Sequence, residues 1–285
     1  MDNIKLIECP RDAMQGISKF IETEDKIRYI NSLLEVGFHT IDVGSFVSPR
    51  MIPQMKDTAE VLERINWQNS NSKLLTIVGN PNGAFRASQY SQVEYIGYPC
   101  SLSETFQKRN TNATIAESLI RLKEIQSVCL EHEKTLVVYL SMCFGNPYGD
   151  FWSSDLVAEW TFRIIQDFGA KIVSLSDTIG VADATLIQEV FQKVRPFSKN
   201  IEIGVHLHAK PDDWEDKIAA ALDNGCTRLD GAISGFGGCP YASDSMTGNI
   251  PTERLVSYLG KLGIPVNINR DKLDQSVRLS NEIFN

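Results

Sequence analysis

The segment Ile201-Glu202-Ile203-Gly204-Val205-His206-Leu207-His208 shows the pattern that decides the fold of this chain. It is an apolar, β-branched run that ends in polar residues, which is typical of a strand buried on both faces of a parallel sheet. Comparable runs recur along the chain, and longer amphipathic stretches with helical spacing lie between them. The eight predicted strands cover residues 4–9, 39–44, 73–78, 93–98, 135–141, 171–176, 201–208 and 228–233.

Eight strand–helix units over about 250 residues are typical of a (β/α)8 barrel, so we predict a TIM barrel of the α/β class. A doubly wound sheet is the alternative, but it would carry a glycine-rich phosphate-binding turn after its first strand. The segment at that position, Cys9-Pro10-Arg11-Asp12-Ala13-Met14-Gln15, is not such a turn. We expect a single domain over residues 1–285, with the barrel at about 4–262 and a short C-terminal arm at about 263–285.

Composition excludes several classes of partner. The formal net charge is −8 and no basic stripe is present, so a nucleic-acid partner is not expected. No run of about 18 apolar residues occurs, so no membrane span is expected. The six cysteines are scattered without regular spacing, which indicates reduced thiols and a cytoplasmic location.

Polar residues lie at the ends of six predicted strands. The active sites of TIM barrels form at the carboxyl ends of the strands, so these side chains are expected to meet on one rim. They are Arg11, Asp12, Asp42, Ser45, Tyr139, Ser141, Ser176, Asp177, Thr178, His206, His208, Cys239 and Asn249.

The two histidines of the seventh strand are two residues apart, so both project to the same side of the strand. With Asp12 across the barrel and an amide oxygen from Asn249, His206 and His208 form a mixed nitrogen and oxygen set. Such a set suits Mg²⁺ or Mn²⁺. Zinc is the alternative, because two histidines and one carboxylate also form catalytic zinc sites.

Three further residues are candidates for chemistry. Cys239 follows Gly235-Phe236-Gly237-Gly238, and these glycines let the backbone bend and offer the thiol to a site. Arg11 supplies a permanent cation beside Asp12, suited to holding an oxyanion. Asp177 either orients a histidine or the water on the metal, or caps the helix that follows, and the sequence leaves both roles open.

Several short motifs occur in a fixed order along almost the whole chain. They are Pro10-Arg11-Asp12 with Gln15, Ser45-Phe46-Val47-Ser48-Pro49, Asp177-Thr178-Ile179-Gly180-Val181, Val205-His206-Leu207-His208, and Gly237-Gly238-Cys239-Pro240-Tyr241-Ala242 with Gly248-Asn249. In these motifs the chain resembles the hydroxymethylglutaryl-CoA lyases, members of the barrel metallolyases that include the isopropylmalate and homocitrate synthases. The loop around Cys239 distinguishes the lyases from those synthases.

The resemblance implies a retro-Claisen cleavage of 3-hydroxy-3-methylglutaryl-CoA, or a close 3-hydroxyacyl-CoA, to acetyl-CoA and acetoacetate. It implies a metal held by Asp12, His206, His208 and Asn249, with Arg11 on the substrate carbonyl oxygen and Cys239 as the catalytic thiol. It also implies a homodimer and a place in leucine degradation and ketone-body metabolism. The base that removes the C3 hydroxyl proton is either His206 or a water on the metal.

Two groups of residues complete this expectation. Catalytic roles are also expected for Asp42 and Asp177, and the expected substrate contacts are Arg11, Gln15, Ser45, Tyr139 and Thr178. The chain departs from the lyase pattern at Asp42, where the family has Glu, at Ala209-Lys210-Pro211 after the histidine pair, and at Ala13-Met14. These departures bear on the preferred acyl group and on the rate.

The sequence is also compatible with two other functions. One is a Claisen-type synthase or a 2-oxo-acid aldolase on the same barrel, neither of which needs a thiol at Cys239. The other is a catalytically silent barrel that binds CoA esters.

Overall fold

The computed structural model describes residues 4–238 and 247–284. Eight parallel strands pair each with the next, and the eighth pairs with the first, so the sheet closes into a barrel. This confirms the predicted (β/α)8 barrel. The strands are β1 (Lys5–Glu8), β2 (Thr40–Phe46), β3 (Lys73–Val78), β4 (Val93–Ser101), β5 (Thr135–Ser141), β6 (Ile172–Asp177), β7 (Glu202–Ala209) and β8 (Arg228–Gly231).

Helices lie between the strands and surround the barrel. In the part of the chain that the structure describes they are α1 (Pro10–Gln15), α2 (Thr23–Leu34), α3 (Thr58–Arg64), α4 (Pro81–Ser88), α5 (Glu104–Thr111), α6 (Ile115–Glu131), α7 (Ser154–Gln166), α8 (Ala184–Val194), α9 (Trp214–Asp223), α10 (Thr252–Lys261) and α11 (Arg270–Phe284). Short 3-10 helices lie at Pro53–Met55, Trp67–Asn69, Arg195–Asn200 and Ile233–Gly235. None of the described helices is long and apolar enough to cross a membrane.

Local sequence signals explain where several helices begin. Thr114 accepts a hydrogen bond from the backbone of Glu117, whose side chain returns to the backbone of Thr114, so α6 begins with a full capping box. Ser153 caps α7 in the same way through the backbone N–H of Leu156. These caps fix the residue at which each helix begins.

A ninth, short strand was not predicted from the sequence. Residues Gly248–Asn249 form β9, which runs antiparallel to β7 and pairs Asn249 with His208 and Gly248 with Ala209. The long connection after β8 therefore returns to the histidine pair by backbone pairing.

The C-terminal extension packs on the outside of the barrel against α2. The backbone N–H of Asn269 donates to the carbonyl of Val36, at 2.9 Å. Farther along α11, the ring of Phe284 meets Tyr29 of α2 edge-on at 5.1 Å, and it meets Phe236 at 5.2 Å in the connection after β8. The extension thus supports the base of the loop that leads to Cys239. A single domain for the whole chain stays a prediction.

A buried carboxyl group links β1 to the same connection. Glu8 is fully buried; its Oε1 accepts from the backbone N–H of Ile233 at 2.9 Å, and its Oε2 accepts from the hydroxyl of Thr252 at 2.6 Å. Burial raises the pKa of Glu8 to about 8, and these two hydrogen bonds offset only part of that effect. Glu8 is therefore protonated in the native barrel at neutral pH.

We predict that Glu8→Gln stabilises the protein more at high pH than at low pH. Between pH 4.5 and about 8 the native carboxyl keeps a proton that the unfolded chain has released. The contribution of Glu8 is thus fully present below pH 4.5 and is lost as the pH rises, by about 1.4 kcal/mol per pH unit. The amide keeps an acceptor for Ile233, its N–H takes the place of the proton of the neutral carboxyl beside the Thr252 hydroxyl, and it does not titrate.

Thermal unfolding from pH 5 to pH 9 measures this effect. The Tm of the variant, measured relative to that of the parent, is expected to rise as the pH rises from 5 to about 8. Glu124→Gln, on an exposed face of α6, is the control and leaves the pH dependence of the parent unchanged. Parallel Tm curves for Glu8→Gln and the parent would contradict the assignment.

Candidate active site

A cavity of about 860 Å³ lies at the carboxyl end of the barrel strands. It is where TIM barrels carry their active sites. Most of the residues singled out in the sequence line it: Arg11, Asp12, Gln15, Asp42, Ser45, Tyr139, Ser141, Ser176, Thr178, His206 and His208, together with Gly238. The predicted convergence of polar side chains from several strands is therefore found in the structure.

Arg11 lies at the centre of a hydrogen-bonded network. Its Nε donates to Asp42 Oδ2 at 2.9 Å, and its Nη2 lies 2.7 Å from the same oxygen. Its Nη1 donates to Gln15 Oε1 at 2.9 Å and to Asp12 Oδ1 at 3.1 Å. The guanidinium is thus held in one orientation by three side chains, which is what a fixed oxyanion-binding group needs.

Asp12 is a buried carboxylate that stays ionised. Burial alone would raise its pKa, but the charge of Arg11, the charge of His206 and the hydrogen bond from Asn249 act against burial, and the pKa is lowered from its ordinary value. Gln15 Nε2 donates to Asp12 Oδ1 at 2.7 Å, and Asn249 Nδ2 donates to Oδ2 at 2.7 Å. A carboxylate has about four acceptor positions, so Asp12 keeps capacity for a cation.

His208 presents an unpartnered nitrogen to the cavity. Its Nδ1 lies 3.0 Å from the carbonyl oxygen of Thr178, so this nitrogen carries the proton. Burial, followed by the neighbouring His206, lowers the pKa of His208 to about 4, so the ring is neutral. Its Nε2 is buried and has no hydrogen-bond partner among the described residues. A neutral, oriented imidazole with a free lone pair is what a metal ligand requires.

His206 is oriented by a residue that the sequence analysis missed. Its Nδ1 lies 3.1 Å from Oδ2 of Asp230, a buried carboxylate at the end of β8. Burial lowers the pKa of His206, but the hydrogen bond and charge of Asp230 and the charge of Asp12 outweigh it, so the pKa is raised. The two histidine rings are 5.1 Å apart between centroids, so β7 presents them side by side.

The donor set fits a divalent metal. One ligand atom each from Asp12, His206 and His208 lie within 4.8 Å of one another, in a largely buried site. The unpartnered Nε2 of His208 points to the same conclusion. Asn249 is adjacent through its backbone pairing with His208, but here its Nδ2 faces Asp12 and the carbonyl of Phe236. Coordination by Asn249 would require its amide to turn and present Oδ1.

Asp42 reaches Arg11 in spite of being one methylene shorter than Glu. Its Oδ2 takes both contacts from the guanidinium, whereas its Oδ1 is buried and has no partner in the described part of the chain. Burial raises the pKa of Asp42 to about 6, against the opposing effect of Arg11. Asp42 is thus a carboxylate with one oxygen free and a pKa close to neutrality.

The expected substrate contacts divide into two groups. The hydroxyls of Ser45 and Tyr139 are buried, line the cavity and have no partner within residues 4–238 and 247–284. Gln15 and Thr178 are already engaged, because Gln15 bridges Arg11 and Asp12 and the Thr178 hydroxyl accepts from the backbone of Met142 at 3.0 Å. Ser45 and Tyr139 are therefore free to bind a ligand, and the other two fix neighbouring groups.

Asp177 does not join the cluster. Its carboxylate accepts from the backbone N–H groups of Val181 and Ala182, both at 3.0 Å, and lies 3.5 Å from Lys217 Nζ. It therefore neither orients a histidine nor caps α8, whose N-cap is Asp183. It stabilises the turn between β6 and α8, on the outer side of the barrel wall.

Cys239 lies outside the described residues, but Gly237 before it approaches Asp12 and Asn249 closely. A Cβ atom at Gly237 would lie 2.7 Å from Nδ2 of Asn249 and 2.8 Å from the carbonyl oxygen of Asp12. Gly237 also has a φ of +92°, a conformation that other residues rarely adopt. Only glycine lets this segment pack directly on the cluster, and Gly238 lines the cavity.

We predict that Gly237→Ala weakens divalent-metal binding about tenfold or more, because the added methyl group displaces Asp12 or Asn249 by a fraction of an ångström. Calorimetric titration with Mn²⁺ measures the change. Gly263→Ala is the matched control, since its φ is +69° and no atom lies within 4 Å of the added carbon. Equal affinity of the two variants for Mn²⁺ would refute the close approach of Gly237 to Asp12 and Asn249.

Comparison with known proteins agrees with this geometry. The HMGL-like family model matches residues 3–279. A 3-hydroxy-3-isohexenylglutaryl-CoA/hydroxy-methylglutaryl-CoA lyase of Pseudomonas aeruginosa is 33% identical over 95% of this chain and 89% of its own length. The mitochondrial hydroxymethylglutaryl-CoA lyase of Bos taurus is 34% identical over 95% of this chain and 82% of its own length. A structure of an HMG-CoA lyase from Acinetobacter baumannii, in complex with coenzyme A and 3-methylmalate, superposes with a TM-score of 0.91 at 29% identity, covering 99% of this chain and 92% of that one. The chain belongs to the HMGL-like family.

Proposed function

We propose that the chain is a metal-dependent carbon–carbon lyase that cleaves 3-hydroxy-3-methylglutaryl-CoA to acetyl-CoA and acetoacetate. The observation that carries the proposal is the meeting, in one cavity, of an oriented Arg11 with the donor set of Asp12, His206 and His208. The names of the relatives support the same reaction. A close 3-hydroxyacyl-CoA remains within the proposal, because the family's Glu is Asp42 here.

Asp12, His206 and His208 would hold Mg²⁺ or Mn²⁺, with Zn²⁺ as the alternative, and Asn249 would join them once its amide turns. When bound, the metal acidifies the C3 hydroxyl of the substrate. Two of the ligands are neutral imidazoles and one is a carboxylate, so the set leaves positions for a chelating substrate.

Arg11 stabilises the negative charge that the reaction creates. Cleavage of the bond between C2 and C3 leaves an enolate of the acetyl thioester, and its charge resides largely on the carbonyl oxygen. The Arg11 guanidinium lines the cavity and is fixed by Asp42, Gln15 and Asp12. Because these three side chains already hold the guanidinium in place, it does not have to reorient when the enolate forms.

Asp42 is the better candidate for the base that takes the C3 hydroxyl proton. His206 has Nδ1 committed to Asp230, and its other nitrogen is needed as a metal ligand. Asp42 has a free oxygen, Oδ1, and a pKa raised to about 6, which suits proton transfer near neutrality. We therefore propose Asp42, and not His206, as this base, with water on the metal as the alternative.

Cys239 is proposed as the acid that protonates C2 of the enolate. The support is its place in the sequence directly after Gly237 and Gly238, the second of which lines the cavity. A synthase or aldolase would have no use for a thiol at this position. Ser45 and Tyr139 are proposed to bind substrate through their free hydroxyls.

Three broader features complete the proposal. The scattered cysteines support a cytoplasmic enzyme. The resemblance to the lyases supports a homodimer, and the two products support a role in leucine degradation and ketone-body metabolism. The partner bound in the cavity is an acyl-CoA ester.

We predict that the purified protein, supplied with Mg²⁺ and 3-hydroxy-3-methylglutaryl-CoA, forms acetoacetate and acetyl-CoA in equal amounts. Removal of the metal by EDTA abolishes turnover. Cys239→Ala lowers kcat by about 10²-fold or more, as expected when a positioned general acid is lost. Cys129→Ala, a buried thiol of α6, is the matched control and keeps the activity of the parent.

Other outcomes would discriminate the alternatives. Full turnover by Cys239→Ala would exclude the lyase mechanism and favour a synthase or an aldolase. Absence of acetoacetate with Mg²⁺, Mn²⁺ or Zn²⁺, despite measurable binding of the CoA ester, would favour a silent binding barrel.

A further inference from the structure

A second set of metal-ligating atoms lies beside the first, at the floor of the cavity. One ligand atom each of Cys9, His206 and Asp230 lie within 4.8 Å of one another. Cys9 and Asp230 are 1% and 2% exposed, and Cys9 lines the cavity. The proposed mechanism gives the Cys9 thiol no task.

Asp230 supplies independent evidence for a ligand. Its Oδ2 contacts His206, whereas its Oδ1 is buried with no partner among the described residues. Buried carboxylate oxygens are normally satisfied, so an unpartnered one indicates a missing water or ion. Asp230 belongs to the same group of three possible ligands as the Cys9 thiol and His206.

Several carboxylates lie near Cys9, together with the guanidinium of Arg11. Burial raises the pKa of the Cys9 thiol well above its ordinary value, and the carboxylates of Asp230, Asp42 and Asp12 raise it further. The potential that disfavours a bare thiolate favours a divalent cation, and a coordinated thiol loses its proton to the metal's charge.

We propose that Cys9, His206 and Asp230 bind a soft divalent ion, of the kind represented by Zn²⁺ and Cd²⁺, and that this binding excludes the catalytic metal. A set of one sulfur, one nitrogen and one carboxylate oxygen suits these ions. Mg²⁺ prefers oxygen ligands and does not compete for a thiolate.

The exclusion follows from the single lone pair of a neutral imidazole. With Nδ1–H directed at Asp230, only Nε2 of His206 is free for the catalytic metal. A soft ion at the Cys9 site needs the Nδ1 lone pair, so the ring proton moves to Nε2. The Cys9 thiol proton leaves to solvent, the metal–sulfur bond replaces the sulfur–hydrogen bond, and no electron is transferred. Only the exclusion rests on the proposed function; binding of the soft ion does not.

The binding test uses Cd²⁺, whose bond to thiolate absorbs in the ultraviolet. It is made on metal-free protein carrying Cys239→Ala, so that the catalytic thiol does not contribute. One equivalent of Cd²⁺ is expected to produce the thiolate band, and additional Cys9→Ala is expected to remove it, whereas additional Cys129→Ala leaves it. A band that survives Cys9→Ala would overturn the proposal.

A second variant covers the case in which Cys9→Ala does not fold. Asp230→Asn keeps the thiol and removes a charged ligand, so the apparent Kd for Cd²⁺ is expected to rise about tenfold or more. An unchanged Kd would overturn the proposed triad. Neither measurement uses catalytic activity, so failure of the lyase assignment would leave these results interpretable.

The exclusion is tested by inhibition of the Mg²⁺-loaded parent enzyme. Zn²⁺ is expected to inhibit the enzyme, and Mg²⁺ is expected to relieve this inhibition competitively. Cys9→Ala is expected to raise the inhibition constant for Zn²⁺ about tenfold or more, with the rate of each protein expressed relative to its own rate without Zn²⁺. Zinc at the catalytic site alone would give competition that does not depend on Cys9. That result would overturn the exclusion.

Discussion

The hydrogen bonds that fix the two histidines of β7 are the constraint on which the site depends. Nδ1 of His206 is held by Asp230 of β8, and Nδ1 of His208 by the carbonyl of Thr178 after β6. Both bonds leave Nε2 as the free nitrogen on each ring, and both rings belong to the donor set with Asp12. The barrel provides this arrangement because its closure places β6, β7 and β8 side by side.

Charge explains why such a site needs a cation. The cavity brings two buried carboxylates, Asp12 and Asp42, against the guanidinium of Arg11, and a third, Asp230, lies near the buried Arg228, which is itself paired with Glu202. Burial of unbalanced carboxylates is costly, and the raised pKa of Asp42, about 6, is one consequence. A divalent ion would offset the excess negative charge, and the mechanism then uses that ion together with the fixed arginine.

Much of this arrangement could be predicted from the sequence, because strand alternation and the position of strand ends are local signals. These local signals predicted the barrel and the placement of His206 and His208 on the same side of β7. They also predicted that Arg11, Asp12 and Asp42 meet on one rim. Asp177 could have been excluded by the same alternation. Ser174 and Ser176 of β6 are on the alternate positions of this strand, and Ser176 lines the cavity, so the next residue faces outward.

Other features depend on contacts between distant parts of the chain and leave no local signal. The pairing of Asn249 with His208 joins residues across the connection after β8, and no periodicity announces a two-residue strand. Glu8 appears in the sequence as an ordinary polar residue at a strand end, yet its partners are Ile233 and Thr252. Asp230 is missed for the same reason, because its role depends on its neighbour in β7.

The proposed mechanism depends on one divalent metal held by Asp12, His206 and His208. Electron paramagnetic resonance of added Mn²⁺ tests it most directly, since free and bound Mn²⁺ give distinct signals. One bound Mn²⁺ per chain is expected. Binding is expected to be lost in His208→Gln and kept in His132→Gln, which changes a histidine at the C-terminal end of α6. Unchanged binding of Mn²⁺ by His208→Gln would contradict the account.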